Sequence, residues 1–387
     1  MNGASETEAS PSATIDRATL NPIVRSALKS SSAQIIHWKS EQVHGGAGIG
    51  NSIHRFKGQA HDQGQQMPWS VILKSLDASV GSAEISAWDY YKREADAYRS
   101  GWLDDLPGGL TAPRSYGIVE YADGTCWIWL EDIADAIGAH WPLDHYGIVA
   151  RHLGQFNGAY MVESRRPAWP WLSTRWLQGF VNQSGPALPI IRDSPDHPLL
   201  RLSWPGGADN RLFFLWEHRD RYFGALERLP QTLCHMDIFR RNLFTQRSAG
   251  GKYETTAVDW AFAGWGAIGE ELVPLIIASV AFTEVDLDQV QELEEIVFEG
   301  YLAGLHQAGW RGDRRHVRLG YTAASLRYRF AELPRAVRSM MDEKQTEQMS
   351  QIFGLPPEEI CKRWAQIGEY CDDLNREAWK LMDDFGW

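Results

Sequence analysis

Near Glu131–Asp132 the hydrophobic period of this chain changes. Before that point apolar residues come in short strand-like runs: Gln34–Val43 (Ile35, Ile36, Trp38), Ser52–Gly58, Trp69–Lys74, Ser115–Tyr121 and Cys126–Leu130. Glycine-bearing turns divide them, His44–Gly50 and Ala122-Asp123-Gly124 among them, as in antiparallel hairpins. Beyond it the spacing is helical, through Leu143, Tyr146, Val149, Leu153, Phe156 and Tyr160. One later hairpin signal interrupts it, Leu243-Phe244 and Tyr253–Val258 around Ser248–Gly251. Strands grouped apart from helices specify an α+β protein rather than a parallel βαβ sheet. The expectation is a small antiparallel sheet lobe and a larger, mainly α-helical lobe, joined by a hinge at Trp129–Asp132 with a ligand cleft between them.

Other segments fill in this plan. Residues 1–18, rich in Ser, Ala, Thr and Glu, read as a disordered tail, leaving lobes at 19–131 and 132–387. Ser82–Arg99 reads as one helix, with Ala87, Tyr91, Glu94 and Tyr98 on a single face. A carboxylate inside an apolar stripe calls for a partner. Ser184–Asn210, rich in Pro and Gly, reads as a long loop or insertion. The longest apolar run, Leu272–Phe282, contains Pro274 and is too short to cross a bilayer. With no apolar leader, a cytoplasmic protein with no membrane partner is expected. Four scattered cysteines suggest reduced, buried thiols. A net charge of −12 argues against nucleic acid as a ligand.

The chemistry-bearing residues follow a set order. Gly46, Gly48 and Gly50 sit in the turn between the first two strands, where glycines expose backbone N–H groups to a phosphate. Lys74 follows Val71-Ile72-Leu73, and Glu94 lies on the next helical segment. A strand lysine paired with that glutamate would fix an ammonium for nucleotide α/β-phosphates. Then comes His235-Met236-Asp237-Ile238-Phe239-Arg240-Arg241-Asn242. Asp237 can take a proton from a substrate hydroxyl, and Asn242 offers a hard oxygen to Mg²⁺. His235 would brace the loop. Asp259, ending an apolar strand 17 residues after Asn242, suits a second metal ligand.

In this order the residues resemble the aminoglycoside phosphotransferase and choline kinase-like family. Trp127-Ile128-Trp129-Leu130-Glu131-Asp132, Lys92-Arg93-Glu94-Ala95 and Val258–Gly266 support the resemblance, which spans roughly residues 33–300. It implies a bilobal protein-kinase-like fold and an ATP- and Mg²⁺-dependent kinase acting on a small-molecule hydroxyl. Residues 19–131 would bind the nucleotide, and 132–387 would supply catalytic and substrate groups. Asp237 would be the catalytic aspartate. Asn242 and Asp259 would hold Mg²⁺, and Lys74, held by Glu94, would contact the phosphates. The glycine loop would cover those phosphates, and the backbone at Trp129, Leu130 and Glu131 would read the purine.

This chain departs from the family at several points. Phe239-Arg240-Arg241 replaces the usual small residue, Pro and Gly, so Arg240 and Arg241 would bind the transferred phosphate or else salt-bridge the loop. The glycine loop is irregular. Where the family often has Asp-Pro and Asp-Leu, Ile268-Gly269-Glu270-Glu271-Leu272 reads as a helix start with carboxylates near the helix dipole. Acidic stretches (Glu284–Asp288, Glu292–Glu295, Asp372-Asp373, Asp383-Asp384) are either solvated helix faces or a pocket for an aminated substrate. Trp169–Trp176 with Ser184–Asn210 would form a substrate-side wall. The alternatives are a catalytically silent nucleotide-binding regulator on the same fold and a sugar-binding protein built on the 18 tryptophans. A protein kinase is disfavoured, because the only Asp-Phe-Gly lies at 384–386.

Overall fold

The computed structural model describes residues 15–43, 52–138, 140–162, 167–205, 210–248 and 250–387. It opens with α1 (Arg17–Leu28), whose cap Asp16 accepts the Thr19 N–H at 2.8 Å. Regular structure therefore begins inside the segment expected as a tail. β1 (Gln34–Gln42), β2 (Ser52–Asp62) and β3 (Gln65–Leu76) follow. The β2–β3 turn puts Gln63 and Gly64 at positive φ, as a two-residue hairpin requires. Next come α2 (Arg93–Arg99), the short β4 (Leu110–Thr111), β5 (Ser115–Glu120) and β6 (Cys126–Glu131). Five of these strands form one antiparallel sheet in the order β1-β2-β3-β6-β5.

The two faces of this sheet feed different cores, which decides where Lys74 goes. Trp69, Val71, Leu73, Trp127 and Trp129 pack on Leu20, Ile23 and Val24 of α1. The alternate positions, Leu76, Cys126, Ile128 and Leu130, join the main core. Lys74 lies opposite Ile128 and so shares this second face.

The helix expected over Ser82–Arg99 is only α2. Residues 82–92 run in turns, with one bridge between Ser82 and Tyr90. The Trp88 carbonyl accepts from the guanidinium of Arg93 at 2.9 Å, and the Ala87 carbonyl is also bonded to it. A helix would need both oxygens for its own ladder, so tertiary bonding overrides the periodic pattern.

The second lobe begins with α3 (Leu143–Val162). Four short helices follow: α4 (Trp176–Asn182), α5 (Ala187–Asp193), α6 (Pro198–Ser203) and α7 (Asn210–Glu217). Residues 184–205 are thus largely helical, not the expected long loop. Pro189 and Pro198 sit in the first turns of α5 and α6, where no N–H is needed, and Leu188, Ile191 and Leu200 are buried. After α8 (Arg219–Arg228) come β7 (Gln231–Cys234), β8 (Leu243–Arg247), β9 (Tyr253–Ala257) and β10 (Gly264–Ala267). β7 pairs with β10, and β4-β9-β8 form a second small sheet.

A π-helical stretch, Pro274–Ala278, leads through α9 (Ser279–Ala281) to α10 (Val290–Gln307). α10 meets α3 backbone to backbone: a Cβ on Gly304 would lie 2.0 Å from the Arg151 carbonyl oxygen. α11 (Arg314–Ala324), a second π-helical stretch (Arg327–Glu332), α12 (Leu333–Met340), α13 (Glu343–Phe353) and α14 (Pro357–Phe385) complete the chain. Among the described residues no helix is long and apolar enough to cross a membrane. All four cysteines are free and buried. The tryptophans expected as a wall are packing residues: Trp171 and Trp176 are buried, Trp169 stacks on Trp171 at 5.2 Å, and Trp169 and Trp171 both contact Trp102.

Candidate active site

The β8–β9 hairpin builds the centre of the site. Leu243 pairs with Ala257, and the Val258 N–H donates to the Asn242 carbonyl at 2.9 Å. Asn242 and Asp259 therefore leave the same end of one hairpin. The Asn242 amide donates to the Asp237 backbone oxygen at 3.0 Å and to its carboxylate at 3.1 Å. An amide that spends its nitrogen on Asp237 presents its oxygen elsewhere.

His235 ties the two loops together. Its Nε2 donates to the Val258 carbonyl at 3.0 Å, and its Nδ1 accepts the Asp237 N–H at 3.2 Å. Burial pushes the ring's pKa down to about 4, so it is neutral. With both nitrogens spent on backbone it is a brace and touches no reacting group. Met236 and Asp259 both hold positive φ without being glycine, strain that concentrates at functional turns.

Lys74 reaches this centre from the sheet. Its ammonium is paired with Glu94 and lies 2.7 Å from Asp259 Oδ1. Burial alone would lower its pKa, but the two carboxylates raise it above the ordinary lysine value. Burial opposes ionisation of Asp259, yet the Lys74 charge outweighs it and holds that carboxyl below its usual range. Glu94, buried more deeply, is raised. The Asp259 side chain is 36% exposed, against 4% for Lys74 and 1% for Glu94. It is thus the open end of a closed ionic cluster.

Other expected residues fall elsewhere. Gly46, Gly48 and Gly50 lie outside the described residues, although β1 and β2 flank them as expected. Trp129, Leu130 and Glu131 sit in a central strand bonded on both sides: β3 pairs along one edge and β5 along the other, and the Glu131 N–H reaches the Arg114 carbonyl at 2.9 Å. The backbone of Trp129 and Leu130 is thus taken up by the sheet; the ladder with β5 stops at Leu130, and the strand itself ends at Glu131. Of the two roles open to Arg240 and Arg241, the geometry gives the structural one. Arg240 binds Asp135 at 2.9 Å and the Leu243 carbonyl at 2.9 Å, over the Trp141 ring. Arg241 binds Glu284 at 3.0 Å and the Ile352 carbonyl at 3.1 Å.

Three residues carry roles the sequence reading missed. Glu271 does not serve a helix dipole. Its carboxylate accepts the His235 and Met236 N–H groups at 2.7 and 3.1 Å and the Asn157 amide at 2.7 Å. Arg93 is fully buried and bonds the carbonyls of Trp171 at 2.7 Å and Ala261 at 2.8 Å, tying α2 to the loop after Asp259. Arg327 bonds the Asp237 carboxylate at 2.7 Å and the Met236 carbonyl at 2.8 Å. It lies 90 residues from Asp237, outside any motif. The buried double glutamate and the Arg-Glu pair are visible signals for the other two.

Comparisons with known proteins agree with this arrangement. The model of the phosphotransferase enzyme family (APH) matches residues 98–316. No curated protein sequence matches. Among solved structures, a microcompartment-associated aminopropanol kinase is 15% identical with a TM-score of 0.52, covering 88% of this chain and 94% of its own. The amicoumacin kinase hAmiN, solved with AMP-PNP, Ca²⁺ and Ami, is 13% identical with a TM-score of 0.50, covering 85% and 90%. These likenesses establish the bilobal protein-kinase-like fold. With a family model matched over more than half its length, the chain belongs to the phosphotransferase enzyme family.

Proposed function

We propose that this protein is an ATP- and Mg²⁺-dependent kinase that phosphorylates a hydroxyl group of a small molecule. The observation that carries the reading is the convergence of Asp237, Asn242, Asp259 and the Lys74–Glu94 pair at one mouth, drawn from both lobes. The donor set fits Mg²⁺: one amide oxygen and one half-exposed carboxylate, both hard ligands, with phosphate and water left to complete the shell. Bound ATP would supply the phosphoryl group, and Mg²⁺ would neutralise the charge on it.

The chain's own part is positioning and one proton. Asn242 and Asp259 would hold the metal, and Lys74 would meet the phosphates. Asp237 orients the acceptor hydroxyl and takes its proton on a carboxylate oxygen as the new bond forms. Burial raises the pKa of Asp237, the charge of Arg327 opposes that shift, and Asp259 adds to it. The two structural relatives are named as kinases of aminopropanol and of amicoumacin, which is compatible with an amino alcohol or a larger aminated acceptor here.

The test is Mg²⁺-dependent ADP release across aminoglycosides, macrolides, choline, amino alcohols and sugars, with Asp237→Ala alongside. Acceptor-stimulated release that drops by orders of magnitude in the variant is the expected result. Release that persists in the variant, or a wild type that binds no nucleotide, refutes the proposal.

A further inference from the structure

We infer that Arg327 is a positioning residue that sets the carboxylate of Asp237 to orient and deprotonate the acceptor hydroxyl by holding the strained turn beneath it; this rests on the kinase reading above. The Met236 residue at the centre of that turn has φ of 70°, a conformation unfavourable outside glycine that persists only when its surroundings over-determine it. Here they do so from both ends. The Met236 N–H is taken by Glu271, and its carbonyl by Arg327 Nη1. The same guanidinium then passes its Nη2 to Asp237 Oδ1, while Asn242 takes Oδ2. One rigid fork therefore fixes both the peptide that aims Asp237 and the carboxylate itself, a job its planar geometry suits and a lysine's point charge does not.

Arg327 is itself held. It is 7% exposed and lies over Trp176 at 4.7 Å and Phe180 at 5.5 Å, with Glu332 at 3.5 Å from its Nε. It opens the π-helical stretch Arg327–Glu332, a wide turn of the kind that often marks functional sites. The stack and the fork together leave the guanidinium little freedom, so its contribution to rate is geometric.

The experiment is steady-state kinetics on Arg327→Ala and Arg327→Lys, with guanidinium added back. Arg327→Ala should lose about 100-fold in kcat, as a misplacement of roughly 1 Å does, with KM for Mg·ATP within about twofold of wild type. Millimolar guanidinium chloride, far below denaturing concentrations, should restore part of that loss in Arg327→Ala and do nothing in Asp237→Asn. Arg327→Lys covers the case in which the alanine variant does not fold: it should melt near wild type yet remain well below it in kcat. Wild-type kcat in either folded variant, or a loss that guanidinium does not touch while the melting temperature falls, overturns the positioning role. A wild type that binds Mg·ATP and turns over no acceptor overturns the kinase reading instead, and this inference with it.

Discussion

Glu271→Gln isolates one buried carboxyl group beneath the candidate active site. Glu271 is 1% exposed and accepts three hydrogen bonds, yet burial outweighs them and lifts its pKa to about 7, from 4.5 in water. The sign follows from linkage. A folded-state pKa above the unfolded one means the folded protein holds its proton longer. The resulting stability is complete below about 4.5 and is lost as pH rises through about 7. The shift corresponds to a loss on the order of 3 kcal/mol, reached by pH 8.

Glutamine copies the neutral acid in shape and cannot ionise. Asn157 cannot flip to suit it, because its oxygen takes the Tyr301 hydroxyl and its nitrogen serves Leu233. The introduced glutamine therefore meets the same donors, and its amide nitrogen, unlike a carboxyl oxygen, cannot accept the one it faces, a loss that does not change with pH. At pH 5 both side chains are neutral in the fold, so the glutamine variant should be the less stable by the cost of that unpaired donor, about 1–3 kcal/mol. By pH 8 the difference should have moved in the glutamine variant's favour by roughly 3 kcal/mol, a change in midpoint separation of about 4 °C for a chain this long. Reading the difference between the two proteins cancels the titrating groups that Glu271 does not influence; Glu270, whose raised pKa owes part of its shift to the Glu271 charge, shifts downward in the variant and belongs to the measured difference. Thermal melts at both pH values make the measurement. A difference that stays the same from pH 5 to pH 8 would mean that Glu271 is ionised throughout and that burial does not dominate its state.

Two further substitutions probe the frame. Lys74→Met leaves Glu94 and Asp259 facing each other without a cation, which should cost about 3–5 kcal/mol in denaturant unfolding. Adding Glu94→Leu should recover much of it; no recovery would show that the lysine stem, not its charge, carries the loss. Gly304→Ala drives a methyl group to 2.0 Å from the Arg151 carbonyl and should destabilise by about 1–3 kcal/mol through a forced separation of α3 and α10. An unchanged melting temperature would mean that the two helices are not in backbone contact.

What can be read from the sequence is whatever is local. The strands of the first lobe, the hairpin at Leu243–Ala257 and the helix Leu143–Val162 all follow from short-range period and turn chemistry. So does the grouping of Asp237, Asn242 and Asp259, because one hairpin brings them together. The failures share the opposite cause. The helix expected from Ser82 is cut short because Arg93 claims carbonyls that its ladder needs. The Trp129 and Leu130 backbone expected to read a purine falls within β6, and nothing in those two residues shows that β5 covers its second edge. Arg240 and Arg241 look catalytic from their position in the loop, while their partners Asp135 and Glu284 lie more than 40 residues away. The arginine that does meet Asp237 stands in no motif at all.

Arg93 also bears on how the site is kept ready. Its guanidinium is buried, its hydrogen bonds go to backbone carbonyls, and burial lowers its pKa to about 10, so it stays charged at neutral pH. Removing such a group would leave carbonyls from both lobes unpaired at once. Its neighbour Glu94 holds Lys74, and Lys74 holds Asp259, two residues before the Ala261 carbonyl that Arg93 itself binds. Two adjacent residues of one seven-residue helix thus grip the Asp259 loop at two points, one through charge and one through backbone. Swinging α2 outward would break both grips and strand a buried cation. The lysine proposed to contact phosphate is therefore held in its paired position by contacts from both lobes.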